Sequence, residues 1–216
     1  MGEGFIRTAT PQDLDALVDI YIECFPERVT EVFGGPQRRT FIRDSLCFYL
    51  SWDPESNWVY VQDGAVVGIL IAPCRYSPWR AALAGGQIFR WLGHFLSGKY
   101  GFPLHILKRF LIGGFAFNAD PMLKRVWGRP YIHLLAVRRM PGRGVAHGLL
   151  GIGSQLVHWM IAVGRKQGIH CWWGVVQSSA RPFWKRMGAR IFRISTGEYL
   201  GVLGTPDPDV CPPEGC

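Results

Sequence analysis

The sequence predicts an α/β protein: a central mixed, mostly antiparallel twisted sheet flanked by helices on both faces. Three features carry this. Apolar runs at 57–61 and 66–71 flank Gln62-Asp63-Gly64, a hairpin turn signal. The stretch YIHLLAV (131–137) is an apolar strand entering a Gly-Arg-Gly turn that opens a long amphipathic helix. A second apolar strand, GIHCWWGVV (168–176), is followed by a short helix ending at Gly188.

The remaining elements follow in order. A strand at 4–8 leads through Thr10-Pro11, a helix start signal, into a helix over 11–24. Leu14, Leu17, Ile20, Tyr21 and Cys24 recur there at helical spacing, and Pro26 stops it. A second helix is expected over 37–50, with Phe41, Leu46 and Phe48 to Leu50 apolar. After the hairpin comes an insert, 75–129, between the third and fourth strands. Ile88, Trp91, Leu92, Phe95 and Leu96 fit one helical face in it, and Leu104, Leu107, Phe110 and Leu111 another. The strand 131–137 and a helix over 144–166 come next. A strand at 169–176, a helix at 179–187 and closing strands at 189–195 and 198–203 complete the order.

With 216 residues, 48% of them hydrophobic, the chain can bury one good core, so one domain is expected over 1–204. Residues 205–216 read as a Pro-rich, mobile tail. No apolar run is long enough for a membrane-spanning helix, and the N-terminus lacks a secretory pattern, so a cytoplasmic protein is expected. The six cysteines are scattered singly. Cys24, Cys47, Cys74 and Cys171 sit among apolar neighbours and read as small buried hydrophobes. No spacing of His, Cys, Asp and Glu suggests a metal site.

The turn after 137 matters chemically. Backbone N–H groups and the positive end of a helix dipole converge there, which suits a phosphate or pyrophosphate. Gly142 and Gly144 allow close backbone approach, Arg143 adds a charge and Pro141 stiffens the turn. The purely local alternative is a helix that starts after glycine for its own reasons.

Two motifs together resemble the GNAT acyltransferases, which move an acyl group from coenzyme A to an amine. Their loop pattern is (Gln/Arg)-x-x-Gly-x-(Gly/Ala), and Gly144-Val145-Ala146 fills its last three positions. Pro141 then stands at the Gln/Arg position. In a shifted frame Arg139-x-x-Gly142-x-Gly144 fits instead. The later pattern, Asn-x-x-Ala-x-x-Phe-Tyr-x-x-x-Gly, is matched by Ala180, Phe183 and Gly188. Gln177 replaces the Asn. Trp184 replaces the Tyr that usually protonates the departing thiolate, a task an indole N–H cannot perform. The N-terminal IRTATPQDLDALVDIYIECFP is similar to the family's first strand and helix.

The resemblance implies the GNAT fold and an acyl-CoA donor, acetyl-CoA by default. It implies that N–H groups from Arg139 to Ala146 hold the pyrophosphate, while the backbone of Ala136 and Val137 pairs with the pantetheine arm. Gln177, Phe183 and Trp184 complete the implied cofactor set, with Trp184 packing on the arm or walling an acyl chain.

Amine acylation also needs a neutral amine. An alkyl ammonium of pKa about 10.4 is neutral in roughly one molecule in two thousand at pH 7. His133, on the strand entering the loop, is a candidate base, the alternative being a satisfied core histidine. Glu23, late in the first helix, is a second candidate, the alternative being a solvated carboxylate. His158 and His170 read as structural. Ser178 can hydrogen-bond the leaving sulfur or, with Ser179, cap the short helix.

The net charge of +8 is localised. Arg75, Arg80, Arg90, Lys99, Lys108, Arg109, Lys124, Arg125 and Arg129 face one acid, Asp120, so the insert carries the whole excess. Aromatic residues interleave with these cations. The insert reads as a helical lid, either purely structural or serving an acyl chain, an acidic acyl carrier protein or peripheral contact with the inner membrane face. No nucleic-acid-binding motif accompanies the charge.

Three functions stay open. The first is acyl transfer from acyl-CoA to a small-molecule or peptide amine in a ternary complex. The second is transfer of a long fatty acyl group from CoA or carrier protein. The third is a non-catalytic acyl-CoA-binding module.

Overall fold

A computed structural model describes residues 4–35, 38–74, 84–100, 129–138, 145–194 and 199–204. The expected tail, the second helical face of the insert and the turn 139–144 lie outside the described residues.

Strand β1 (Phe5–Thr8) leads into a single 3-10 turn, Pro11–Asp13, and then helix α1 (Leu14–Cys24). Thr10 and Asp13 close the start together: the Thr10 N–H and hydroxyl donate to Asp13 Oδ2 at 2.8 and 2.9 Å, and the Asp13 N–H donates to the Thr10 carbonyl at 3.0 Å. Arg7 clamps the same carboxylate with two bonds of 2.6 and 2.7 Å. Pro26 does end α1, but a turn of helix (Pro26–Arg28) and a π turn (Val29–Phe33) follow at once. Helix α2 spans Arg39–Trp52.

The hairpin β2 (Asn57–Gln62) and β3 (Ala65–Ile71) closes through Asp63 and Gly64, with φ of 51° and 77°. Both positive values are what a two-residue type I′ turn demands, and Asp-Gly meets the demand cheaply. Period-two alternation then divides the hairpin between two cores. Val59, Val61, Ile69 and Ile71 face one cluster with Leu17, Ile20 and Ile42. Trp58, Tyr60 and Leu70 face the other, with Leu156, Met160 and Trp172. The sheet is thereby covered on both faces, and each fully buried aliphatic side chain contributes about 1.5–3 kcal/mol.

From the insert, helix α3 (Gln87–Leu96) is present as the periodicity predicts. Strand β4 (Leu134–Val137), helix α4 (Val145–Lys166), strand β5 (Cys171–Val176), helix α5 (Arg181–Arg186), strand β6 (Arg190–Arg193) and strand β7 (Tyr199–Gly204) complete the described order. The strands form two antiparallel sheets, β1-β2-β3-β4 and β5-β7-β6. One parallel bridge, Tyr131 with Trp173, joins them.

Two expectations need correcting. The ladder of β4 begins at Leu134 rather than Tyr131, although the Tyr131 and His133 N–H groups still donate to the Pro73 and Ile71 carbonyls at 3.0 and 2.9 Å. Cys24, Cys47, Cys74 and Cys171 are only partly buried. Two of them make polar contacts: the Cys24 thiol donates to the Val137 carbonyl at 3.3 Å, and Cys74 Sγ lies 3.2 Å from Ser56 Oγ.

Candidate active site

The two sheets meet at their edge strands. At the crossing the Ile132 N–H donates to the Trp173 carbonyl at 2.5 Å, and the Trp173 N–H to the Pro130 carbonyl at 3.0 Å. Beyond it, among the described residues, β4 is laddered to β3 alone and β5 to β7 alone. The strands run parallel at the bridge, and beyond it, among the described residues, they are not laddered to each other, so a cleft toward their C-terminal ends is the candidate site. Both ends lead to helix starts: β4 toward α4, and β5 through a 3-10 turn (Ser178–Ala180) into α5. The edges of β4 and β5 that are not laddered to each other offer backbone donors and acceptors to a ligand with an extended polar arm.

Helix α4 crosses this region at close range. A Cβ built on Gly153 would lie 3.5 Å from the Phe183 ring and 3.8 Å from a Val137 methyl. Val137, Gly153 and Phe183 therefore meet where the strands part. Trp184 turns the other way: it is 8% exposed, sits in the core and meets Phe183 edge-on at 5.2 Å. Of the two rings, Phe183 stands at the cleft while Trp184 is part of the packing beneath it.

Ala136 and Val137 are buried along β4. Arg139, Gly142, Arg143 and Gly144 lie outside the described residues. Val145 and Ala146 are the first described residues of α4, and the turn expected before them lies outside the described residues. Gln177 is exposed and extended, and its carbonyl accepts from the Ala180 N–H at 2.9 Å. Ser178 is exposed in the 3-10 turn. The capping expectation for Ser178 and Ser179 is corrected: Ala180 holds the N-cap position of α5, and no side chain closes that cap.

His133 sits between the bridge and β4. Its imidazole stacks on Tyr49 of α2, with centroids 3.9 Å apart and planes at 24°. Burial, with the Arg28 guanidinium adding to it, pushes its pKa down to about 3. Such an imidazole is neutral at pH 7 and a poor proton acceptor, so its surroundings favour packing over base catalysis. Glu23 is exposed at the end of α1, and its Oε2 lies 3.2 Å from Arg138 Nε, the residue directly after β4. His158 and His170 are exposed, not core residues. Among the described residues no cluster of His, Cys, Asp and Glu could hold a metal.

Sequence reasoning missed Tyr49, Arg28, Arg138 and the Cys24–Val137 contact. It also missed a network in which the Tyr100 hydroxyl donates to Asp44 Oδ2 at 2.6 Å and His94 Nδ1 lies 3.0 Å from the same oxygen. These contacts join segments far apart in sequence, and no local pattern announces them.

No family model matches the chain, and no curated protein does. Solved structures do. An acetyltransferase of the GNAT family from Listeria monocytogenes aligns at 11% identity and TM-score 0.53, over 94% of this chain and 95% of that one. The chain has the GNAT fold. PaiA N-acetyltransferase of Thermoplasma acidophilum, in complex with coenzyme A, aligns at 10% identity and TM-score 0.56 over 94% and 99%. The Drosophila melanogaster polyamine N-acetyltransferase, which forms N-acetylagmatine, aligns at 15% and 0.52 over 94% and 100%. The chain spans 44% of a longer match, a putative acetyltransferase from Pyrococcus horikoshii.

Proposed function

We propose that this chain transfers an acyl group, acetyl by default, from a coenzyme A thioester to a primary amine by direct attack in a ternary complex. The observation that supports the reading is that β4 and β5 meet at the Tyr131–Trp173 bridge and, among the described residues, are not laddered to each other beyond it. The pantetheine arm would lie against β4 at Ala136 and Val137, where the thiol bond from Cys24 is a weak one that an amide donor can replace. The pyrophosphate would sit at the turn before α4, with Arg139, Gly142, Arg143 and Gly144 as its cradle.

The amine nitrogen attacks the thioester carbonyl, the carbon–sulfur bond breaks, and the nitrogen gives up a proton. We assign that proton to Glu23, directly or through water, rather than to His133. The thiolate departs with a conjugate-acid pKa of about 8.5, tolerable beside a helix N-terminus without a side-chain acid. Trp184 in the core leaves no Tyr-type acid at that position. Small amines such as those named for the Drosophila structure are the acceptors to try first.

A second reading, a non-catalytic thioester-binding module, is favoured by the depressed His133 and by Trp184 at the Tyr position. Release of free thiol from acetyl-, octanoyl- and palmitoyl-CoA with a panel of amines separates the readings. Acceptor-dependent release with the acetyl donor supports the main one. Binding of CoA without release on any amine supports the module. Release only from long-chain donors would move the assignment to fatty acyl transfer, with an acyl carrier protein as the next donor to test.

A further inference from the structure

Among the described residues, helix α3 meets the domain through one side. Trp91 and Phe95 pack on the first core, Trp91 edge-on to Phe48 at 5.5 Å and Phe95 edge-on to Phe41 at 5.2 Å. His94 reaches Asp44 and Tyr100 from the same helix, so its rotation is set. At 100° per residue the apolar arc continues past the anchored side through Leu92, Leu96 and Phe89. These three are 46%, 69% and 70% exposed. Isolated exposed apolar residues are ordinary, but three large ones along one stripe are not.

The surroundings of the stripe are basic. Arg90, on the same helix, and Lys99, in the turn after it, are exposed, and no acid occurs from Gln87 to Lys99. The insert containing the helix holds the chain's entire net charge of +8. We propose that α3 is a docking helix for an anionic lipid bilayer. Phe89, Leu92 and Leu96 enter the headgroup–acyl boundary, while Arg90 and Lys99 lie among the lipid phosphates. The segment joins an exposed apolar stripe to cations with no acid among them, and that pairing is what an anionic leaflet takes up. No described helix is long and apolar enough to cross a membrane, so the contact is with one leaflet. The proposal stands independently of the acyl-transfer reading.

Flotation of the full chain with vesicles tests it. Vesicles of phosphatidylcholine mixed with phosphatidylglycerol should carry the protein upward, and phosphatidylcholine alone should carry little. Added salt should weaken the binding. The F89S/L92S/L96S variant should lose about tenfold or more of its vesicle affinity. Its melting temperature and coenzyme A binding should be unchanged, since these side chains are exposed. R90Q/K99Q should lose less, and only on anionic vesicles. Absence of flotation on anionic vesicles overturns the proposal, as does binding that the triple-serine variant retains. Concentration-dependent dimerisation that the serine variant abolishes, without vesicle binding, would overturn it in favour of a second copy.

Discussion

The His133 imidazole lies nearly flat on the Tyr49 ring, 3.9 Å between centroids, and this contact fixes the strand entering the cleft to helix α2. The residue with the chemistry of a base is thereby engaged in packing. Its folded pKa, about 3, lies below the ordinary value of 6.5. Such a group favours the folded state above the unfolded pKa, and that contribution declines as pH falls from about 6.5 toward about 3. We expect unfolding midpoints in urea to drop between pH 7 and pH 4.5, and to drop less in His133→Phe, which keeps an aromatic ring on Tyr49. Retained activity in the same variant would support the assignment of the proton to Glu23; loss of the acid limb of the pH–rate profile would return it to His133.

Asp13 gives a second acid-sensitive contribution at lower pH. Arg7, helped by the Thr10 N–H and hydroxyl, holds this carboxylate below its usual range against the opposing cost of burial. Stabilisation from a depressed carboxylate is present at neutral pH and declines as pH falls through the folded value. Arg7 is partly exposed, so solvent screening limits the effect. Asp13→Asn should cost about 1–2 kcal/mol in urea unfolding at pH 7, and less as the pH falls below the ordinary carboxylate range.

Gly153 separates a tolerated from a blocking substitution. An alanine methyl would meet Phe183 at 3.5 Å, an ordinary contact. Gly153→Ala should therefore leave coenzyme A affinity intact and gain up to about 1 kcal/mol from helix propensity. Gly153→Leu must displace Phe183 or fill the cleft, and calorimetry should show coenzyme A affinity reduced by about tenfold or more, given that about 1.4 kcal/mol per decade is readily lost to a misplaced side chain.

The Asp44–Tyr100–His94 network ties the insert to α2. Tyr100→Phe removes the 2.6 Å bond to a buried carboxylate while keeping the ring stacked on Phe41. Thermal unfolding should show a loss of about 1–3 kcal/mol. Limited proteolysis should also cut faster between 84 and 100 in this variant than in the parent.

What could be read beforehand follows the range of the forces involved. The hairpin was legible because Asp63-Gly64 encodes its turn locally, and α3 because Ile88, Trp91, Leu92, Phe95 and Leu96 keep helical spacing. Periodicity does not say how much of an apolar arc the domain covers, so the exposure of Phe89 and Leu96 emerged only with Trp91 and Phe95 in place. The run of α4 was legible from its apolar stripe. The bridge of Tyr131 to Trp173, and the stack of His133 on Tyr49, depend on distant partners. Phe183 and Trp184 share one short helix, and only the packing decides which faces the cleft.

Hydrogen exchange with and without saturating acetyl-CoA tests the central claim most directly. If β4 and β5 part to receive the pantetheine arm, amides in Leu134–Arg138 and at the end of β5 should exchange more slowly with ligand present, while β1 and β6 stay unchanged. Unchanged exchange along β4 and β5 under conditions where the ligand binds would place the thioester elsewhere and contradict it.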